Sequence, residues 1–152
     1  MKLAEALIER AAQRKRIEEL RALIVSNARV QEGDKPALDP AKLLAEAVAA
    51  GDALAGLVKR INRTNAVTAF DAGRTLADAL ADRDRLISQH KLHLDAYNAA
   101  AAPQQRFARL EIKFVSALNA AALRKTADSL AQKHRELDLK IQEMNWAVDL
   151  LD

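Results

Sequence analysis

Cysteine is absent from the 152-residue chain, so no disulfide framework, thiolate metal site or cysteine nucleophile can be built from it. Four glycines and three prolines are its only strong backbone breakers, and aromatic residues make up 3% of it. A core made from this composition rests on Leu, Ile and Ala, which favours close helix–helix contact over a wide sheet sandwich. Long apolar runs are missing as well. The alanine-rich stretch at residues 98–103 is short, far from the roughly 20 residues a membrane-spanning helix needs. Lys2, Glu5, Glu9 and Arg10 break up the start of the chain, which therefore lacks the apolar stretch of a signal peptide. The expectation is a cytoplasmic protein with no membrane partner. Charge of one sign is scarce too: 24 basic against 21 acidic residues leave a net +3. The densest basic cluster, Arg14-Lys15-Arg16, runs at once into Glu18 and Glu19. Nucleic-acid binders concentrate positive charge on one face or tail, so nucleic acid is not the expected partner.

What is present points to helices. Half the residues are hydrophobic and 30% are charged, the balance of a folded globular chain. Its length suits one ordinary domain, here residues 1–152. Four helical segments are expected. The first covers about residues 2–27, with Leu3, Leu7, Ile8, Ala11, Ile17, Leu20, Leu23 and Ile24, and stops before Gly33-Asp34-Lys35-Pro36. The second opens at Asp39-Pro40, an N-cap followed by proline at the first helical position, and carries Leu43, Leu44, Ala47, Val48, Leu54, Leu57, Val58 and Ile61. Gly51 and Gly56 each weaken it by about 1 kcal/mol relative to alanine, unless they admit a close helix approach.

The third helix starts at Thr75, with Thr75 and Asp78 as a variant capping box, and its seam reads Leu76, Leu80, Arg83, Ile87, His90, Leu94, Tyr97. The fourth is capped by Asn119. Its seam reads Leu123, Ala127, Leu130, His134, Leu137, Ile141, Met144, Val148, Leu151, in alternating steps of four and three. That alternation defines a coiled-coil-like packing face along a helix of about 45 Å. Two strand-like patches interrupt the helices. Val67-Thr68-Ala69-Phe70 precedes the turn Asp71-Ala72-Gly73, and Ile112-Lys113-Phe114-Val115 precedes the fourth helix, with Phe70, Phe107 and Phe114 near them. The fold class expected is mainly α: long antiparallel helices, as a four-helix bundle or coiled-coil-like hairpins, with a small β element at one end. Off the main seam of the fourth helix lies a second stripe, Leu139, Trp146 and Leu150. A helical hairpin has little interior and much flank, so this stripe reads as a self-association surface and the protein as a homo-oligomer.

Several local motifs resemble an uncharacterised bacterial family known as septicolysin-like. They are Met1-Lys2-Leu3-Ala4-Glu5-Ala6-Leu7, Asn27-Ala28-Arg29-Val30-Gln31-Glu32-Gly33, Ile61-Asn62-Arg63-Thr64-Asn65, Gly73-Arg74-Thr75-Leu76, Asp78-Ala79-Leu80-Ala81, Arg83-Asp84 and Asn145-Trp146. The resemblance spans nearly the whole chain. It implies a bacterial cytosolic protein of mainly helical fold without an established activity. Thiol-activated cytolysins are larger, secreted, sheet-rich and carry a cysteine motif; none of those features is present.

Polar residues gather at the expected helix ends: Asn27, Arg29 and Glu32 after the first helix, Asn62, Arg63 and Asn65 closing the second, Arg74 before the third. If the hairpins stack with their turns together, these form one patch able to hold a phosphate or carboxylate, helped by helix-start amides. The competing reading is structural, since asparagine stops helices and arginine satisfies their terminal carbonyls. His90, His93 and His134 form a second set. An antiparallel pairing that sets Ala102 opposite Asn119 turns His90 toward the turn at 131–134, where three imidazoles could ligate zinc or nickel. Seam histidines more often fix register, and Arg83 can pair there with Asp138 or Asp84. No metal or other cofactor is therefore expected. Phosphate-binding glycine loops, the Gly-x-Ser-x-Gly elbow and His-Glu-x-x-His are all missing, so no catalytic residue is assigned. The leading expectation is a non-enzymatic, self-associating structural or interaction protein. A small-molecule or anion binder using the polar helix ends comes second, and nucleic-acid association third.

Overall fold

The computed structural model describes residues 1–103 and 113–152. The chain is mainly helical, with α1 (Leu3–Asn27), α2 (Pro40–Val67), α3 (Leu76–Ala100) and α4 (Ala120–Ala147). Between α2 and α3 lies a two-stranded antiparallel sheet of β1 (Ala69–Asp71) and β2 (Arg74–Thr75). Gly73 sits at φ 92°, the left-handed conformation the two-residue turn demands and a side chain resists. The first strand-like patch thus forms a hairpin. The second does not: Lys113, Phe114 and Val115 belong to no strand, and Ile112 and Phe107 lie outside the described residues.

Helix boundaries follow the capping chemistry. Asp39 Oδ1 accepts from the amide of Ala41 at 3.0 Å, with Pro40 opening α2. Asn119 Oδ1 accepts from the amide of Ala122 at 3.0 Å and starts α4. Asn27 ends α1. Its amide nitrogen donates to the Leu23 carbonyl at 2.9 Å, while its Oδ1 accepts from the Leu38 amide at 3.1 Å. One side chain thus satisfies a helix-end carbonyl and ties down the α1–α2 loop.

The chain divides into two compact units, Met1–Ala77 with Gln142–Asp152, and Asp78–Ile141, so the division falls within α3 and α4. In the first, α1 and α2 form an antiparallel hairpin. Its less exposed positions step by three and four, through Leu3, Ala6, Ile17, Leu20 and Ile24 on α1 and Leu43, Ala47, Leu54, Leu57, Ile61 and Thr64 on α2. Leu44 and Val48, read above with the apolar set of this helix, lie on its outer side and are 55% and 58% exposed. In the second unit α3 and α4 are also antiparallel. Arg83 lies 3.7 Å from Asp138, and the Arg124 guanidinium stacks 5.7 Å from the Tyr97 ring centre. Both pairs obey the register that sets residue 102 opposite 119. The α4 seam is as expected through Val148, and Ala127, Leu130 and Ile141 are buried. The α3 seam differs. Ala79 and Leu86 are buried and Ile87 is exposed, so the seam steps 76, 79, 83, 86, 90 rather than through Leu80 and Ile87.

Residues beyond α4 close the first unit. Lys2 and Asp149 form an isolated antiparallel bridge: the Leu3 amide donates to the Val148 carbonyl at 2.9 Å and the Leu150 amide to the Met1 carbonyl at 2.9 Å. Thr64 carries the far side. Fully buried, its hydroxyl donates to the Arg60 carbonyl at 2.9 Å and accepts from the Leu151 amide at 3.0 Å. Removing the oxygen while keeping the shape leaves the part-buried Leu151 amide without this partner, at a cost of about 1 kcal/mol. Thr64→Val is therefore expected to melt several degrees below the wild type, and Thr64→Ser close to it, by circular dichroism; equal melting of Val and wild type would deny the hydroxyl this role.

Candidate functional site

The seven polar residues expected at the helix ends do not form one patch. Because α1 and α2 are antiparallel, Asn27, Arg29 and Glu32 sit at one end of the hairpin and Asn62, Arg63 and Asn65 at the other. About 23 residues of α2 separate them, roughly 35 Å at the helical rise. Each group also has structural work. Asn27 caps α1, as described above. Arg63 donates to the Asp152 backbone carbonyl at 3.0 Å, beside Arg60, which donates to the Leu151 carbonyl at 3.0 Å and pairs with the Asp152 carboxylate at 2.9 Å. Arg74 pairs with Asp71 across the β turn, its Nε 3.0 Å from Oδ1, and its guanidinium stacks 5.5 Å from the Phe70 ring centre. Arg29 and Glu32 are exposed in the α1–α2 loop.

The stripe on α4 also changes membership. Leu139 and Trp146 are 65% and 56% exposed, but Leu150 is 8% exposed and belongs to the core. The reason is a change of period. α4 ends at Ala147, and the following residues are extended along the N-terminus, so position 150 turns inward where a continued helix would have turned it out. The outer side of α2 adds a surface that the apolar count of the sequence conceals: Ala41, Leu44, Ala45, Val48, Ala55 and Gly56 are exposed at helical spacing. Its signal was available in the spacing, since Leu44 and Val48 lie four apart, off the seam.

The basic cluster on α1 is neutralised nearby. Arg16 bonds Glu46 of α2 at 2.6 Å, a contact that raises the arginine above its ordinary pKa, and Lys15 lies 3.9 Å from Glu19. Among the described residues no three His, Cys, Asp or Glu side chains are grouped to hold a metal ion. The His93 Nδ1 lies 2.8 Å from the Gln89 carbonyl, a bond within its own helix. Arg83 takes both acids anticipated for it, Asp84 at 3.0 Å and Asp138 at 3.7 Å. No helix among the described residues is long and apolar enough to cross a membrane.

Residues 10–150 match the family of unknown function DUF6847. The chain belongs to that family. The fold recurs in the crystal structure of a functionally unknown conserved protein from Corynebacterium diphtheriae, 44% identical, with 99% of each chain covered and a TM-score of 0.94. The comparison with curated proteins gave no match. Neither similarity carries an activity, and neither bears on the septicolysin-like resemblance.

In this DUF6847 chain the groups sequence reasoning missed are those of the closure: Lys2, Arg60, Thr64 and Asp149. The Lys2 ammonium lies 2.9 Å from Asp149 Oδ1 and donates to the Ala147 carbonyl at 3.0 Å. Hydrogen bonding to Lys2, then its charge, holds the Asp149 carboxyl below the usual value of 3.8. A lowered pKa means that the contribution to stability is present above the unfolded value and is lost as pH falls through the folded one. Asp149→Asn should therefore have a lower urea midpoint than wild type at about pH 7, with the gap closing as pH falls below 3.8. A gap that persists in acid would assign the loss to something other than the ion pair.

Proposed function

We propose that this protein has no chemistry of its own and works by self-association through exposed apolar helix faces, as a structural or interaction protein. The observation that carries this reading is the distribution of large apolar side chains. Among the described residues sixteen of them are exposed, while eight of the twelve buried hydrophobics are larger than alanine. Scattered exposed leucines are ordinary; exposed apolar residues that recur at helical spacing on one side of a helix mark a surface suited to contact. The exposed residues include Leu139 and Trp146 on α4, Leu44 and Val48 on α2, and Ile8 and Val25 on α1. Water contact with such faces is relieved when a second copy covers them, and closed symmetric assembly is the common outcome for one repeated chain.

The anion-binding alternative has less support. Arg63 and Arg74 are already engaged with Asp152 and Asp71, and the two polar groups sit at opposite ends of α2. Nucleic-acid association through α1 is weakened by the pairing of Arg16 with Glu46.

Native mass measured by light scattering behind a sizing column, at two concentrations, tests the reading. A discrete oligomer is expected. A monomer at every concentration would overturn it.

A further inference from the structure

We infer that the outer face of α2 is a self-complementary interface, on which two copies of the chain pair their α2 helices antiparallel across a two-fold axis at Ala55 and Gly56. The inference rests on the reading of self-association above and names the surface and the partner.

The face points away from α1. Of the exposed positions between residues 41 and 59, Ala41, Leu44, Ala45, Val48, Ala55 and Gly56 share one side of the helix with two charged residues, Asp52 and Lys59, while Lys42, Glu46, Ala49 and Ala53 lie on its flank. These two are seven apart, two turns along the same face, and carry opposite charge. Neither has a hydrogen-bond or ion-pair partner among the described residues. Asp52 and Lys59 stand at equal distances on either side of the midpoint between Ala55 and Gly56. An antiparallel two-fold contact centred there brings Asp52 against Lys59 of the partner subunit and Lys59 against Asp52 of the partner subunit. The same register places two small residues at the crossing, where helix backbones come closest. An isologous contact requires a surface that complements itself, and a +/− pair disposed about a small crossing point satisfies that requirement.

Gly56 supplies a second, independent observation. Glycine inside a helix costs about 1 kcal/mol relative to alanine. The cost is usually repaid by close approach of another backbone or by a positive φ. Neither applies within the chain: a Cβ at Gly56 would meet nothing within 4 Å, and its φ is not positive. A partner helix crossing at Gly56 gives the residue the close approach that the chain itself does not. Leu44 and Val48, two to three turns before it and more than half exposed, supply apolar area for the same contact.

Charge exchange tests the pairing. Native mass and dimer dissociation are measured for the full chain and for Asp52→Lys, Lys59→Asp and the double exchange, with helicity checked by circular dichroism. All these positions are exposed, so the helical spectrum should not change. Each single variant sets like charges together twice by symmetry, and should raise the dissociation constant at least tenfold; the double exchange should bring it back to within about threefold of wild type. Gly56→Leu, at an exposed position where an added Cβ meets nothing within 4 Å, should abolish the dimer while leaving the helical spectrum intact. An oligomeric wild type whose mass and dissociation are unchanged in the single variants, or a double exchange that stays as weak as the singles, overturns the α2 interface and leaves self-association standing. A monomeric wild type overturns both.

Discussion

A helix packed against one neighbour can bury only one stripe of its surface, and that constraint governs this molecule. The α1–α2 hairpin hides the three-and-four ladder through Leu3, Leu20 and Ile61, and leaves the opposite side of each helix to water. On α1 that side carries Lys15 and Glu18 together with Ile8 and Val25; on α2 it carries alanine, leucine and valine with Asp52 and Lys59. Few aromatics are needed for such seams, because alanine and glycine let helix backbones approach closely.

Two helices alone hold their ends poorly, and the first unit compensates at the end away from its loop. The residues after α4 lie along the N-terminus, and the α2 side chains of Arg60, Arg63 and Thr64 hold them in place. Thr64 matters most because it is buried and uses its hydroxyl as both donor and acceptor. The arginines here are better read as anchors of the chain than as receptors for a ligand, since their donors face carbonyls and a carboxylate of the same molecule.

Much of the fold was legible because its signals are local. Asp39-Pro40 and Asn119 announce helix starts, Gly73 announces a turn, and the seam of α4 repeats often enough to define its face and the register against α3. The α3 seam was misplaced by one position because Leu76, Ala79, Arg83 and Leu86 compete with Leu76, Leu80, Arg83 and Ile87 on adjacent stripes. Apolar character alone cannot choose between them; alanine at 79 fits the tighter seam. What lay beyond reach was non-local. The bridge from Lys2 to Asp149 joins residues at opposite ends of the sequence, and no periodicity foretells it. It is also what turns Leu150 inward, against its reading as part of a surface stripe. The polar residues of the helix ends were correctly placed at those ends, but antiparallel packing sends α1's end and α2's end in opposite directions.

The absence of cysteine makes the central claim open to a direct measurement, since one introduced thiol has no competitor in the chain. Ala55→Cys sits beside the proposed two-fold axis, and Val25→Cys on the outer side of α1 serves as the control. Under mild oxidation at a concentration where the chain is oligomeric, the account predicts a rapid disulfide-linked dimer through position 55 and little through position 25. A chain that stays oligomeric while position 55 fails to cross-link, or cross-links no faster than position 25, would contradict the pairing of α2 with its own copy.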